Sequence, residues 1–289
     1  MQEEQITFSL PDGQTYLAPA PESQPSVYEP SPDNPPWNIF GAVATWIASV
    51  VFLVLIGNVG VLIYALSKNV SQEEFAGLLE DPTVILIAIA SVIPAHIVTL
   101  IFCWFVVTGT GRFPVSKTLG FKWGRFHIGY CILAVVVFYA LFGTLSYFIG
   151  DEDNQLMKIL RSSRAAVYVV AFLATFTAPI VEETVYRGVI YSAFQRTLGV
   201  PFAILITSFL FASVHFMQYS TSVVAIVMIC LLSLGLTLIR VRSGNILPCI
   251  VTHMIFNAIQ AAILIAQPYL ESPEAAPEPV VSGLIRLMG

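Results

Sequence analysis

The chain has 289 residues, of which 56% are hydrophobic and 11% charged, less than half the roughly 25% charge of an ordinary soluble domain. Apolar runs of this number cannot share one water-soluble core, which excludes a soluble globular enzyme. With 13 Lys and Arg against 18 Asp and Glu, a net charge of −5, there is no basic stripe for a phosphate backbone, which argues against nucleic-acid binding.

Residues 1–36 carry six acids, eight prolines and no Lys or Arg. That is the opposite of a signal peptide's basic and apolar regions and predicts a disordered, solvated tail. Seven apolar segments follow: Ile39 to Leu66, Thr83 to Gly109, His127 to Ile149, Ala165 to Ile180 running on into a polar extension, Gly199 to Met217, Ser222 to Ile239, and Gly244 to Gln267. Most exceed the ~20 residues that cross ~30 Å of hydrocarbon, and inside lipid the backbone must satisfy its own hydrogen bonds. The expected fold class is therefore all-α, a polytopic transmembrane helical bundle of about seven spans (six to eight), over residues 37–267. Residues 268–289 form a second tail, in which Glu271 to Pro279 again mixes acids with prolines and Val280 to Met288 is too short to span. Cys103, Cys131, Cys230 and Cys249 lie on four different runs without C-x-x-C spacing, so neither a disulfide scaffold nor a zinc ribbon is indicated.

The loop from Thr110 to Phe126 holds Arg112, Lys117, Lys122 and Arg125 and no acid, which places it in the cytoplasm. Alternation puts the N-terminus and the turns at Arg196 and Arg240/Arg242 on the same side. The loop Asp151 to Arg164, with three bases and three acids, falls outside.

The fourth span breaks its apolar pattern with Glu182, Glu183 and Arg187. A charge at mid-membrane costs ~2.5 to 3.5 kcal/mol on the insertion scale. Either these charges sit on a solvated helix end, Glu183 pairing with Arg187 at i,i+4, or they serve a buried site. Adjacent glutamates point ~100° apart on a helix, so with Glu183 on Arg187, Glu182 is free to face a cavity. The fifth span ends in Phe211-x-x-x-His215 and the seventh carries His253-x-x-x-Asn257, each pair on one helix face. His96, on the second span with no polar neighbour in sequence, reads as a packed or interhelical histidine.

A depth estimate tests whether these groups meet. With spans four and five turning near Leu198-Gly199, Glu182 and His215 are both roughly 25 Å from the turn. His253 and Asn257 lie roughly 16 and 22 Å past the turn near Arg242-Ser243. Asn257 nearly matches, while His253 is short by one or two turns unless tilt or a kink at Pro248 closes the gap.

In order, these read E-E-x-x-x-R, F-x-x-x-H and H-x-x-x-N on separate helices, and over Ala165 to Gln267 the sequence resembles the CAAX protease and bacteriocin-processing (CPBP, or Abi) intramembrane proteases, which include the Ras-converting CAAX endoprotease. The resemblance implies a protease core at 165–267 that hydrolyses a membrane-associated peptide or protein substrate within the bilayer. It implies that Glu182 and His215 activate water, that His253 and Asn257 stabilise the oxyanion, that Glu183 and Arg187 support the site, and that Phe211 walls the substrate pocket. Glu182, His215 and His253 would also suffice to hold zinc or another divalent metal if they converge. A metalloprotease and a metal-free glutamate protease use the same residues. No H-E-x-x-H, G-x-S-G or G-x-G-D occurs in the chain, which removes the site-2, rhomboid and presenilin patterns. The alternative is a non-catalytic transporter, immunity or assembly factor keeping the same polar network, although no repeat relates the two halves of the chain as in many transporters. With the turns at Arg196 and Arg240 inside, the site is expected to open toward the cytoplasm.

Overall fold

The computed structural model describes residues 7–9, 15–17, 28–71, 75–78, 81–124, 126–150, 160 and 163–270. Among the described residues, seven helices are long and apolar enough to cross a membrane: α1 (Ile39–Ser67), α2 (Pro82–Thr108), α3 (Ile128–Ile149), α4 (Arg164–Leu198), α5 (Val200–Tyr219), α6 (Val223–Ser243) and α7 (Leu247–Gln267). The protein is an all-α, multi-pass membrane bundle, as the hydropathy pattern predicts. Two three-residue strands, β1 (Thr7–Ser9) and β2 (Thr15–Leu17), pair antiparallel within the N-terminal segment.

The helix ends follow capping rules. Asn38, Asp81 and Ser222 each accept a backbone N–H of the first turn of α1, α2 and α6. Gly109 and Gly244, both in the left-handed region, close α2 and α6. Within α2 the helix breaks at Ser91, because Pro94 removes the N–H that Ala90's carbonyl would accept and crowds that turn.

Helix α4 is central and packs against α1, α2, α5 and α7. The pairs α1 with α2, α5 with α6, and α3 with α6 and α7 complete the bundle. Gly235 of α6 lets α3 in closely: a Cβ there would stand 2.3 Å from the Phe138 ring, a close approach of the kind small residues permit in membrane helices.

The expected tail boundary is corrected. Residues 28–36, read from the sequence as solvated chain, cross one end of the bundle as a strap. Ser31 and Asn34 close a turn, and Arg240 donates to the Pro32 carbonyl at 2.9 Å and to Asp33 at 3.0 Å. Arg196 donates to the Pro35 carbonyl, and the Trp37 indole donates to the Val189 carbonyl at 2.9 Å. Prolines leave their own carbonyls without a local helix partner, and two arginines projecting from helix ends take them. Arg125, most of the loop from Asp151 to Ser162, the rest of the N-terminal tail and residues 271–289 lie outside the described residues.

Candidate functional site

The site is built on irregularities of α4. Its backbone widens to π-helical spacing at Leu173–Thr177 and again at Thr184–Ile190, with regular α-helix at Ala178–Glu183 between. The first widening ends at Thr177, two residues before Pro179. The Ala178 N–H bonds to the Leu173 carbonyl, five residues back; the next carbonyl, Ala174, would need the N–H of residue 179, which proline lacks. Asn257 of α7 fills that vacancy, its Nδ2 donating to the Ala174 carbonyl at 2.8 Å.

The charges are not at a solvated helix end. Glu183 and Arg187 are both 0% exposed, with Arg187 Nη1 donating to Glu183 Oε1 at 2.9 Å. Arg187 Nη2 donates to the Ser233 carbonyl and hydroxyl at 2.8 and 2.9 Å, and its Nε to the Thr237 hydroxyl at 3.3 Å. The guanidinium lies 4.7 Å over the Phe211 ring. A buried ion pair needs this many further bonds to offset desolvation.

His253 is 3% exposed, and its Nδ1 lies 2.9 Å from the same Glu183 oxygen. A carboxylate only accepts, so Nδ1 carries the hydrogen and Nε2 is left for the cavity. That Nε2 lies 3.9 Å from Glu182 Oε2, too long for a direct hydrogen bond but short enough for one water to touch both. Glu182 and Glu183 thus divide as the helix geometry predicts: one inward to the pair, one onto the cavity, where the Glu182 side chain is 23% exposed.

On α5, His215 Nδ1 lies 2.8 Å from the Phe211 carbonyl one turn earlier, which fixes that nitrogen as the donor and leaves Nε2 for the cavity. Its ring stacks on Phe211 at 4.7 Å. Phe211 also meets the edges of Tyr186 at 5.0 Å and His253 at 6.2 Å, so one buried ring sets the spacing of the polar groups around it.

Glu182, His215, His253, Asn257 and Phe211 all line one cavity of about 460 Å³. Its walls come from residues 49–53, 89–99, 170–186, 211–219, 225–232 and 253–260. On α5 and α6 these residues lie next to the turn at Ser220–Ser222, and on α1, α2 and α7 they lie near the middle of the helix. The halves nearer the strap are packed with Trp37, Val189, Ile246 and Ile250 in one cluster and with Ile190, Tyr191 and Ala203 in another. The cavity lining thus reaches the Ser220–Ser222 end of α5 and α6 and stops short of the turns at Arg196 and Arg240.

The depth estimate is corrected by the same geometry. Arg240 Nη2 lies 3.4 Å from Ser192 Oγ, so the last turn of α6 is level with residue 192, and α4 runs on six residues to Leu198, about 9 Å. Setting the two turns level made His253 look too shallow by that amount. Pro248 sits in the first turn of α7, where proline is tolerated.

Three contributors escape the motifs. His96 is not isolated: its Nδ1 lies 2.9 Å from the Thr177 hydroxyl of α4 and it lines the cavity. Tyr186 lines it too, its hydroxyl accepting the Trp46 indole N–H at 3.2 Å. Thr177 and Tyr186 fall at wildcard or motif-free positions, so only three-dimensional proximity reveals them. Among the described residues, no three His, Cys, Asp or Glu side chains stand close enough together to hold a metal ion; Glu182, His215 and His253 share a cavity without forming such a cluster.

Comparison with known proteins gives one family match. Residues 164–259, about a third of the chain, match the model described as type II CAAX prenyl endopeptidase Rce1-like. No curated protein and no solved structure gives a significant match. All six motif residues from Glu182 to Asn257, and Phe211 with them, fall inside the matched stretch and converge on α4, α5 and α7. Residues 164–259 thus match an Rce1-like domain model, in agreement with the CAAX-type intramembrane protease family that the three motifs resemble.

Proposed function

We propose that the protein is a membrane-embedded endopeptidase that hydrolyses a membrane-associated, CAAX-like or other peptide by direct attack of water. Glu182, with His215 beside the same cavity, takes the proton as water adds to the peptide carbonyl. To donate to the oxygen on which charge develops, His253 must carry a proton on Nε2 as well as the Nδ1 hydrogen held by Glu183, and Asn257 donates beside it from Nδ2. Arg187 holds Glu183 in place and neutralises it. The observation that carries this reading is the 3.9 Å separation of Glu182 Oε2 and His253 Nε2, a gap in which one water reaches both side chains.

Zinc would find its donors in Glu182, His215 and His253, but these do not form a ready three-ligand set. No step above passes through a metal, and cleavage is expected to survive chelator.

The test is cleavage of a prenylated CAAX-type reporter peptide by the purified protein in liposomes. Glu182→Gln, nearly isosteric, is expected to lower kcat by about 10² to 10⁴ while the helical signal and thermal unfolding stay unchanged. Cleavage at wild-type rate in Glu182→Gln would overturn the assignment.

A further inference from the structure

Tyr186 stands one turn beyond Glu182 on the cavity face of α4, and both side chains line the cavity. Its hydroxyl oxygen accepts the Trp46 indole N–H at 3.2 Å. An indole only donates, so the phenolic proton cannot return along that bond. Among the described residues it has no second partner, although Tyr186 is only 4% exposed. A hydroxyl proton left without an acceptor in a low-dielectric wall is costly. Its outlet is the cavity, where the Phe211 ring stands 5.0 Å from Tyr186, 4.7 Å from His215 and 6.2 Å from His253. The Tyr186 phenol and the two histidine rings are thus grouped about one aromatic face. The E-E-x-x-x-R pattern leaves position 186 open, and no role has been assigned to it above.

We propose that Tyr186 is a further catalytic residue of the site described under the proposed function, on which this inference rests. Its hydroxyl donates a hydrogen bond to the substrate oxygen that becomes negative when water adds to the carbonyl. Trp46 is its positioning residue: by occupying one lone pair of the phenol it aims the proton into the cavity from α1. No covalent bond to the enzyme is involved.

The full-length protein in liposomes is assayed on the prenylated CAAX-type reporter peptide as wild type, Glu182→Gln, Tyr186→Phe, Trp46→Phe and the Tyr186→Phe/Trp46→Phe double variant. Losing one such donor costs ~10² to 10³ in kcat in the best-studied case; with His253 and Asn257 retained, Tyr186→Phe is expected to lower kcat by about 10- to 100-fold with KM little changed. Trp46→Phe is expected to lower kcat by a smaller factor, and the double variant to be no worse than Tyr186→Phe, because Trp46 acts through a hydroxyl already gone. Should Tyr186→Phe fail to fold, a fluorinated tyrosine at 186 keeps the packing and acidifies the phenol, and a shift in the pH profile of kcat reads its participation. A kcat within about twofold of wild type for Tyr186→Phe, with Glu182→Gln inactive, overturns this inference and leaves the proposed function standing; full additivity in the double variant overturns the positioning role of Trp46. A wild type that leaves the peptide intact, or an active Glu182→Gln, overturns the proposed function and this inference with it.

Discussion

Glu183 places both of its donors on a single oxygen: Oε1 receives Arg187 and His253, while Oε2 has no partner among the described residues. The carboxylate is therefore held by a guanidinium and an imidazole N–H from different helices, and its removal affects packing and chemistry together. Arg187→Leu leaves an uncompensated buried carboxylate and is expected to cost ~3 to 5 kcal/mol, measured by thermal unfolding in detergent. The double variant Glu183→Leu/Arg187→Leu is expected to recover much of that stability, since apolar replacement of a buried pair is often neutral or better, yet to remain inactive because His253 loses its anchor. Asn257→Ala strands the Ala174 carbonyl and should cost ~1 to 3 kcal/mol in the same measurement. The division of labour between Glu182 and Glu183 was legible from their ~100° offset alone. Asn257's second employment was not, because it depends on which carbonyl Pro179 orphans once the helix widens, and the sequence does not announce a π-helical turn. His96 makes the interhelical contact expected of it, but its partner, Thr177, lies 81 residues away and could not be named from the sequence.

Among elements, the spans were the most legible, because hydrocarbon forces apolar length and internal hydrogen bonding on every crossing segment. Six of the seven expected segments lie within a few residues of the helices found, and the fourth, expected over Ala165 to Ile180 with a polar extension, stays helical through that extension to Leu198. Relative depth was not legible. The 35 residues of α4 extend about 52 Å as a continuous helix, more than the bilayer needs, and hydropathy cannot say which end protrudes. The strap resolves that, since Trp37, Arg196 and Arg240 together clothe the protruding end. Contact between α3 and α6 depends on Gly235. Gly235→Val would drive a branched side chain into Phe138, and is expected to lower stability by ~1 to 3 kcal/mol as read by thermal unfolding, on the wall of the bundle away from the cavity.

For the molecule as a whole, the turns bearing Arg112, Lys117, Lys122, Arg196, Arg240 and Arg242 gather at the strap end, with Lys68 and Arg164 at the other, and the cavity reaches toward the turn at Ser220–Ser222. With the basic end in the cytoplasm, as the distribution of Lys and Arg favours, a cysteine placed at Thr197 is expected to be shielded from an impermeant maleimide in intact cells and one placed at Ser220 to be labelled; the reverse pattern would invert the molecule. Of the native thiols, Cys103, Cys131 and Cys249 are buried and Cys230 is exposed on a span, so a background free of impermeant labelling is expected. The cavity also stops where Trp37, Val189 and Ile250 fill the strap half, which gives water a pit to stand in and no bore to cross. A bundle of this shape can keep a reactant wet inside the hydrocarbon while the membrane remains an electrical insulator: liposomes carrying the protein should hold an imposed proton gradient as long as empty ones, and cells can maintain their electrochemical potential however much of the protein they insert.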